Sequence, residues 1–103
     1  MTIYSKDQYY EAKFQLRPYD EEVLKFIYAL IDKHDVLISK EEKSKAGIDL
    51  YLTSKKFMIM ILQKQLRKHY EGEFKLSRSL FGKDNFTSKL LYRSTLLFRL
   101  KKP

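Results

Sequence analysis

An α+β domain with the element order β-α-β-β-α-β-β is predicted by three features of the 103-residue sequence. Apolar and polar residues alternate in stretches near both ends. Apolar residues recur at three- and four-residue spacings in two longer segments. Each of those segments is preceded by a residue suited to capping a helix.

Tyr9 to Arg17 alternates Tyr10, Ala12, Phe14 and Leu16 with Glu11, Lys13, Gln15 and Arg17, the pattern of a half-buried strand. Pro18 stops it. Asp20 is placed to cap a helix whose first turn holds Glu21 and Glu22, the charge that favours a helix N-terminus. That helix runs to about His34, with Val23, Leu24, Ile27, Tyr28, Leu30 and Ile31 forming its apolar stripe. Val36 to Ser39 reads as a short strand, Lys40 to Lys45 as a polar turn, and the alternation of Ile48, Leu50 and Leu52 as a third element of sheet. Ser54 caps a second helix from Lys55 to about Tyr70, with Phe57, Met58, Ile61, Leu62 and Leu66 inward and Gly72 in the place of a C-terminal stop. Phe74, Leu76 and Leu80 then give a strand, although Arg78 interrupts its inner series, and a long loop follows. From Leu90 to Leu100 the even positions face inward and Arg93, Thr95, Leu97 and Arg99 outward. The order contains the ferredoxin-like split β-α-β pattern with an additional C-terminal strand. Two helices should cover one sheet face. The other should display Tyr9, Lys13, Gln15, Arg17, Tyr51, Lys75, Ser77, Arg93 and Arg99.

The length suits one core, so residues 1–103 are expected to form a single domain, with residues 1–8 and 101–103 frayed. A hydrophobic share of 44% with only 3 Gly and 2 Pro is that of a folded chain, not a disordered one. No apolar run is long enough to span a membrane. Residues 1–8 contain Lys6 and Asp7 and no apolar stretch, so a secretory signal is not expected and a cytoplasmic location is. With no Cys, disulfides, thiolate nucleophiles and cysteine-ligated metals are excluded.

Charge is distributed unevenly. Residues 1–53 carry eight Lys or Arg against ten Asp or Glu, a net of −2, whereas residues 54–103 carry thirteen against three, a net of +10. Such a lopsided field concentrates an anionic partner at one part of the surface. The candidate nucleic-acid contacts are Lys55, Lys56, Lys64, Arg67 and Lys68 on the second helix, continued by Lys75, Arg78, Lys83, Lys89, Arg93 and Arg99 along the final hairpin. A solvated helix face would account for the first five alone. The run of cations through the hairpin needs a further reason.

Catalytic and cofactor signatures are missing. His34 and His69 end different helices without ligand-spaced neighbours, and the adjacent pairs Glu21–Glu22 and Glu41–Glu42 do not share a face. Glycines only at 47, 72 and 82 give no phosphate-cradling loop, and no nucleophile elbow occurs. No enzyme activity, metal, cofactor or small-molecule substrate is expected. An open sheet face with tyrosines and cations is used by RNA-recognition domains, but their glycine- and aromatic-rich strand motif is missing. The reading is therefore a non-catalytic RNA-binding domain. The alternative is a protein-interaction module that holds an acidic protein on an edge strand or on the open face around Tyr9, Tyr51 and Leu97.

Three stretches carry a family resemblance. They are Tyr9-Tyr10-Glu11-Ala12-Lys13-Phe14-Gln15-Leu16-Arg17, then Gly47-Ile48-Asp49-Leu50-Tyr51-Leu52-Thr53-Ser54-Lys55-Lys56, then Ser77-Arg78-Ser79-Leu80-Phe81-Gly82-Lys83-Asp84 followed by Leu91-Tyr92-Arg93-Ser94-Thr95. In this order they resemble the central domain of the adaptor family that escorts large ribosomal subunits out of the nucleus in eukaryotes and has shorter archaeal counterparts. The second stretch is close to that family's G-I-D-x-Y/F-x-x-S-K segment leading into a helix. Members begin with zinc-binding CxxC motifs, which this chain lacks, and it shows no leucine-rich export tail. A domain of a longer protein, or a reduced archaeal-type relative, is therefore expected. The resemblance implies a role in large ribosomal subunit maturation and biogenesis, with the subunit, its RNA, or ribosomal and assembly proteins as partners. From the residues themselves, Gly47 should permit the turn into the third strand, Asp49 should anchor it or pair with a cation, and Ser54 should cap the helix.

Overall fold

The computed structural model describes residues 10–83 and 90–101, with side chains over 10–79 and 92–101. Its elements are β1 (Ala12–Arg17), α1 (Glu21–Lys33), β2 (Ile38–Ser44), β3 (Gly47–Leu52), a second helix α2, β4 (Gly72–Lys83) and β5 (Leu90–Leu100). Helix α2 has three consecutive stretches, α-helical Lys55–Phe57, π-helical Met58–Leu62 and α-helical Gln63–His69. The architecture is α+β, with the predicted element order. One five-stranded sheet runs β2-β3-β1-β5-β4.

The first half builds a split β-α-β unit. β3 is antiparallel to both β1 and β2 and lies between them, so α1 connects two parallel strands that are not neighbours. In the second half the additional strand is inserted, not appended. β5 pairs parallel with β1 and antiparallel with β4, which pushes β4 to the edge. Side-chain chemistry accounts for the exchange: β5 supplies the fully buried Leu96 and Phe98, whereas β4 has Arg78 in its inward series and leaves Leu76 45% exposed.

Both helices cover one face of the sheet. Ala12, Phe14, Leu16, Ile48, Leu50, Leu52, Leu96 and Phe98 form one cluster with Val23, Leu24, Ile27 and Ile31 of α1 and Phe57, Met58, Leu62 and Leu66 of α2. Asp20 caps α1, its Oδ1 accepting the Val23 N–H at 3.0 Å, and Ser54 caps α2, its Oγ accepting the Phe57 N–H at 3.1 Å. Helix α1 ends in a paired closure in which the Val36 N–H donates to the Ile31 carbonyl and the Asp35 N–H to that of Asp32. Asp35 takes the left-handed conformation this requires, at φ 55°. The π-helical stretch of α2 was not foreseen. There the Gln63 N–H reaches back five residues to the Met58 carbonyl, and the wider turn keeps Met58, Leu62 and Leu66 on the core while Met60 points outward at 59% exposure.

Several boundaries differ from the sequence reading. β1 begins at Ala12, although the Glu11 N–H still donates to the Leu52 carbonyl; Tyr9 lies outside the described residues. β2 continues through Lys40–Ser44, where a turn was expected. It is an edge strand, so neither its polarity nor its exposed side chains oppose pairing with β3. β4 extends to Lys83, beyond the expected loop start; residues 84–89 lie outside the described set. The end expectations for 1–8 and for 102–103 also fall outside it, whereas the Lys101 N–H donates to the Glu71 carbonyl.

Gly72 does not stop the helix, which closes at Tyr70 in an extended conformation. It opens β4, where a Cβ would come within 2.4 Å of the Phe98 ring. Gly47 does start β3 as expected, at φ 153°, and a Cβ there would lie 1.9 Å from the Leu16 carbonyl oxygen. Gly47→Ala must therefore push β3 away from the central strand. It should cost roughly 3 kcal/mol, measurable as a lowered urea midpoint at unchanged slope.

Candidate nucleic-acid interface

Strand register divides the predicted cations between opposite sides of the sheet. Lys75 faces Leu97 and Glu73 faces Arg99 across the β4–β5 pair, while Lys13, Gln15 and Arg17 of β1 stand opposite Thr95, Leu97 and Arg99. These residues, with Arg93, Tyr51, Asp49, Lys40 and Glu42, make up the open face. Lys55, Lys56, Lys64, Arg67 and Lys68 belong to α2, in the layer covering the other face. Arg78 is on that helix side too, opposite Ser94. Lys89 and the side chain of Lys83 lie outside the described residues.

The open face is occupied by the protein's own groups. Asp49 accepts a 2.6 Å hydrogen bond from Arg17 Nη2 and lies 3.8 Å from Lys13 Nζ, while Arg17 Nη1 also reaches the Leu16 and Ile48 carbonyls. Tyr51 donates to Glu42 at 2.6 Å, and Lys40 pairs with the same carboxylate at 3.4 Å. Lys13 and Lys40 lie over the Tyr51 ring, and Tyr10 meets it edge-on with centroids 4.8 Å apart. Arg93 stacks 4.0 Å above Tyr10 and donates from Nε to its carbonyl. Tyr51, expected as a displayed aromatic, is consequently 8% exposed and offers no platform to a base.

The second-half cations are arranged differently. Lys56, Lys64, Arg67 and Lys68 of α2 and Arg78 are exposed on the helix side, and Lys75 and Arg99 on the open face. None of these seven, nor the half-buried Lys55, forms an ion pair with a carboxylate among the described residues. In the acidic half, by contrast, Lys13, Arg17, Lys25 and Lys40 each have a carboxylate partner. Two of these exposed arginines lie on aromatic rings instead, Arg67 over Phe74 at 4.9 Å and Arg78 over Tyr92 at 5.0 Å. Phe74 and Tyr92 were not singled out from the sequence. Their alternation with Arg78 along the paired strands was the available signal. Among the described residues no group of three His, Asp or Glu could hold a metal ion, and no helix is long and apolar enough to cross a membrane.

Residues 9–100 match the family model described as NMD3, second domain. The chain belongs to the NMD3 family. No individual curated protein matches it. The family is associated with the large ribosomal subunit and its biogenesis. In this NMD3 domain the Gly47-Ile48-Asp49 segment and Ser54 have structural work: Gly47 admits the Leu16 backbone, Asp49 ties β3 to Arg17 of β1, and Ser54 caps α2.

The Tyr51–Glu42 contact leaves a signature in pH. The hydrogen bond from Tyr51, then that from Lys40, holds Glu42 below the usual carboxylate range; burial, then the same bond, pushes the Tyr51 hydroxyl above the usual phenol range. Glu42 therefore stabilises the fold above the ordinary carboxylate pKa and loses this as pH falls through its depressed value. Tyr51 contributes fully below the ordinary phenol pKa and loses this as pH rises toward its elevated one. In Tyr51→Phe, the Glu42 titration followed by carboxyl NMR should move up toward the ordinary range, and the alkaline limb of the stability curve should flatten.

Proposed function

We propose that this domain is a non-catalytic, cytoplasmic RNA-binding element that contacts the large ribosomal subunit during maturation, with α2 and the helix side of the β4–β5 hairpin meeting phosphates. One observation carries the reading: five exposed cations on the helix side, Lys56, Lys64, Arg67, Lys68 and Arg78, lack a carboxylate partner among the described residues. Unpaired surface cations gain most from an added polyanion, because each phosphate contact releases condensed counterions without first breaking an internal bridge. Family membership supports the ribosomal setting. The alternative, an acidic protein docked on the open face, has less support because Tyr51 is buried there and the central cations Lys13, Arg17 and Lys40 are already engaged by Asp49 and Glu42.

Co-sedimentation with purified large subunits across a salt series tests the reading, with unrelated structured RNA as comparison. Binding should weaken steeply with salt and favour the subunit. Replacing Lys56, Lys64 and Lys68 together by Glu should abolish it, and replacing them by Ala should reduce the salt slope by about 3. Circular dichroism should remain unchanged, since all three side chains are exposed. Retention that ignores salt would refute the proposal.

A further inference from the structure

The edge position of β4 leaves a ledge that neither helix covers. Moving along the helix-side face of β4 away from α2's C-terminal end, Phe74 is half-buried against Phe98, Leu76 is 45% exposed, and Arg78 is exposed. Tyr92, half-buried on β5, continues the surface beneath the Arg78 guanidinium. Arg67 of α2 leans over one end of this surface through its contact with Phe74. Lys55 stands near the other end: its N–H donates to the Glu11 carboxylate, the Glu11 carbonyl accepts from Ser94, and Ser94 is the cross-strand partner of Arg78. An apolar and aromatic floor is thus bordered by cations at both ends.

We infer that this ledge binds a single-stranded stretch of RNA, with bases against Leu76 and Tyr92 and phosphates on Lys55, Arg67 and Arg78. The inference rests on the RNA-binding reading above and names the form of RNA taken. Single strands are indicated because a flat ring and an exposed leucine can only be used by bases free of a duplex, whereas a duplex would offer its backbone to cations alone. An arginine already lying on a tyrosine provides the mixed surface that an unpaired base covers: the outer face of a phosphate-binding guanidinium above a half-buried ring. On the open face the corresponding pair, Arg93 on Tyr10, has no exposed apolar side chain like Leu76 beside it among the described residues, and the central ring is buried beneath paired lysines.

Fluorescence anisotropy of the full chain with a labelled single-stranded RNA of about ten nucleotides, and with a duplex of the same sequence, tests the ledge. The single strand should bind more tightly. Leu76→Ser and Arg78→Ala should each weaken it on the order of tenfold, whereas Lys75→Ala and Arg99→Ala on the open face should do so by less than about threefold. Ultraviolet cross-linking should map to Tyr92, a readout independent of any substitution. Tighter binding to the duplex, or equal losses from both pairs of variants, would overturn the ledge and leave the RNA-binding reading standing. No binding to either RNA at low salt, with large subunits retained through a protein component alone, would overturn both.

Discussion

The central strand β1 is hydrogen-bonded on both sides, and the rest of the domain is arranged around that constraint. Its inward residues Ala12, Phe14 and Leu16 have no exposed surface, so any displacement opens the middle of the core. Antiparallel pairing with β3 puts Leu16 opposite Ile48 and brings the backbone at Gly47 so close that no side chain fits. Parallel pairing with β5 puts Phe14 opposite Leu96 and Leu16 opposite Phe98, which is why β5 and not β4 needs the fully buried apolar residues. On the reverse face the same strand supplies Lys13 and Arg17 to Asp49, so the pleat that builds the core also fixes the ion pairs.

That pleat divides the electrostatics of the domain. On the open side, alternation brings Lys13, Arg17 and Lys40 beside Asp49 and Glu42, and the charges satisfy one another. Exposed or half-exposed pairs of this type stabilise only weakly, yet they cover Tyr51 and leave little free positive charge at the centre of the sheet. The second half has few carboxylates to offer its cations, and Lys56, Lys64, Arg67, Lys68, Lys75, Arg78 and Arg99 are exposed. The lopsided net charge of the sequence becomes a lopsided surface through this difference in pairing.

Much of the fold was legible because local signals and tertiary packing agree. The alternation of β1, the apolar stripe of α1, and the caps at Asp20 and Ser54 all appear where the sequence placed them. Polar Lys40 to Ser44 misled because an edge strand is held by backbone pairing and needs no apolar side chains. Gly72 misled because helix termination and close ring packing both select glycine, and only the position of Phe98 decides between them. The π turn left no mark in composition. For the site, residue type was readable but grouping was not: cations close in sequence, such as Lys75 and Arg78, stand on opposite sides of the sheet, and strand register alone reveals it.

The insertion of β5 between β1 and β4 also governs the order of assembly. β5 follows all the other described elements, yet it occupies an interior position in the sheet and joins a strand about 80 residues earlier. During synthesis β1, α1, β2 and β3 can associate early, but one side of β1 has no partner until the final strand has emerged. Pairing so distant in sequence carries a large loop-closure cost and slows folding. The nascent domain therefore passes through a stage with an open apolar sheet edge, and completion of the fold coincides with arrival of the strand that carries Tyr92, Arg93 and Arg99.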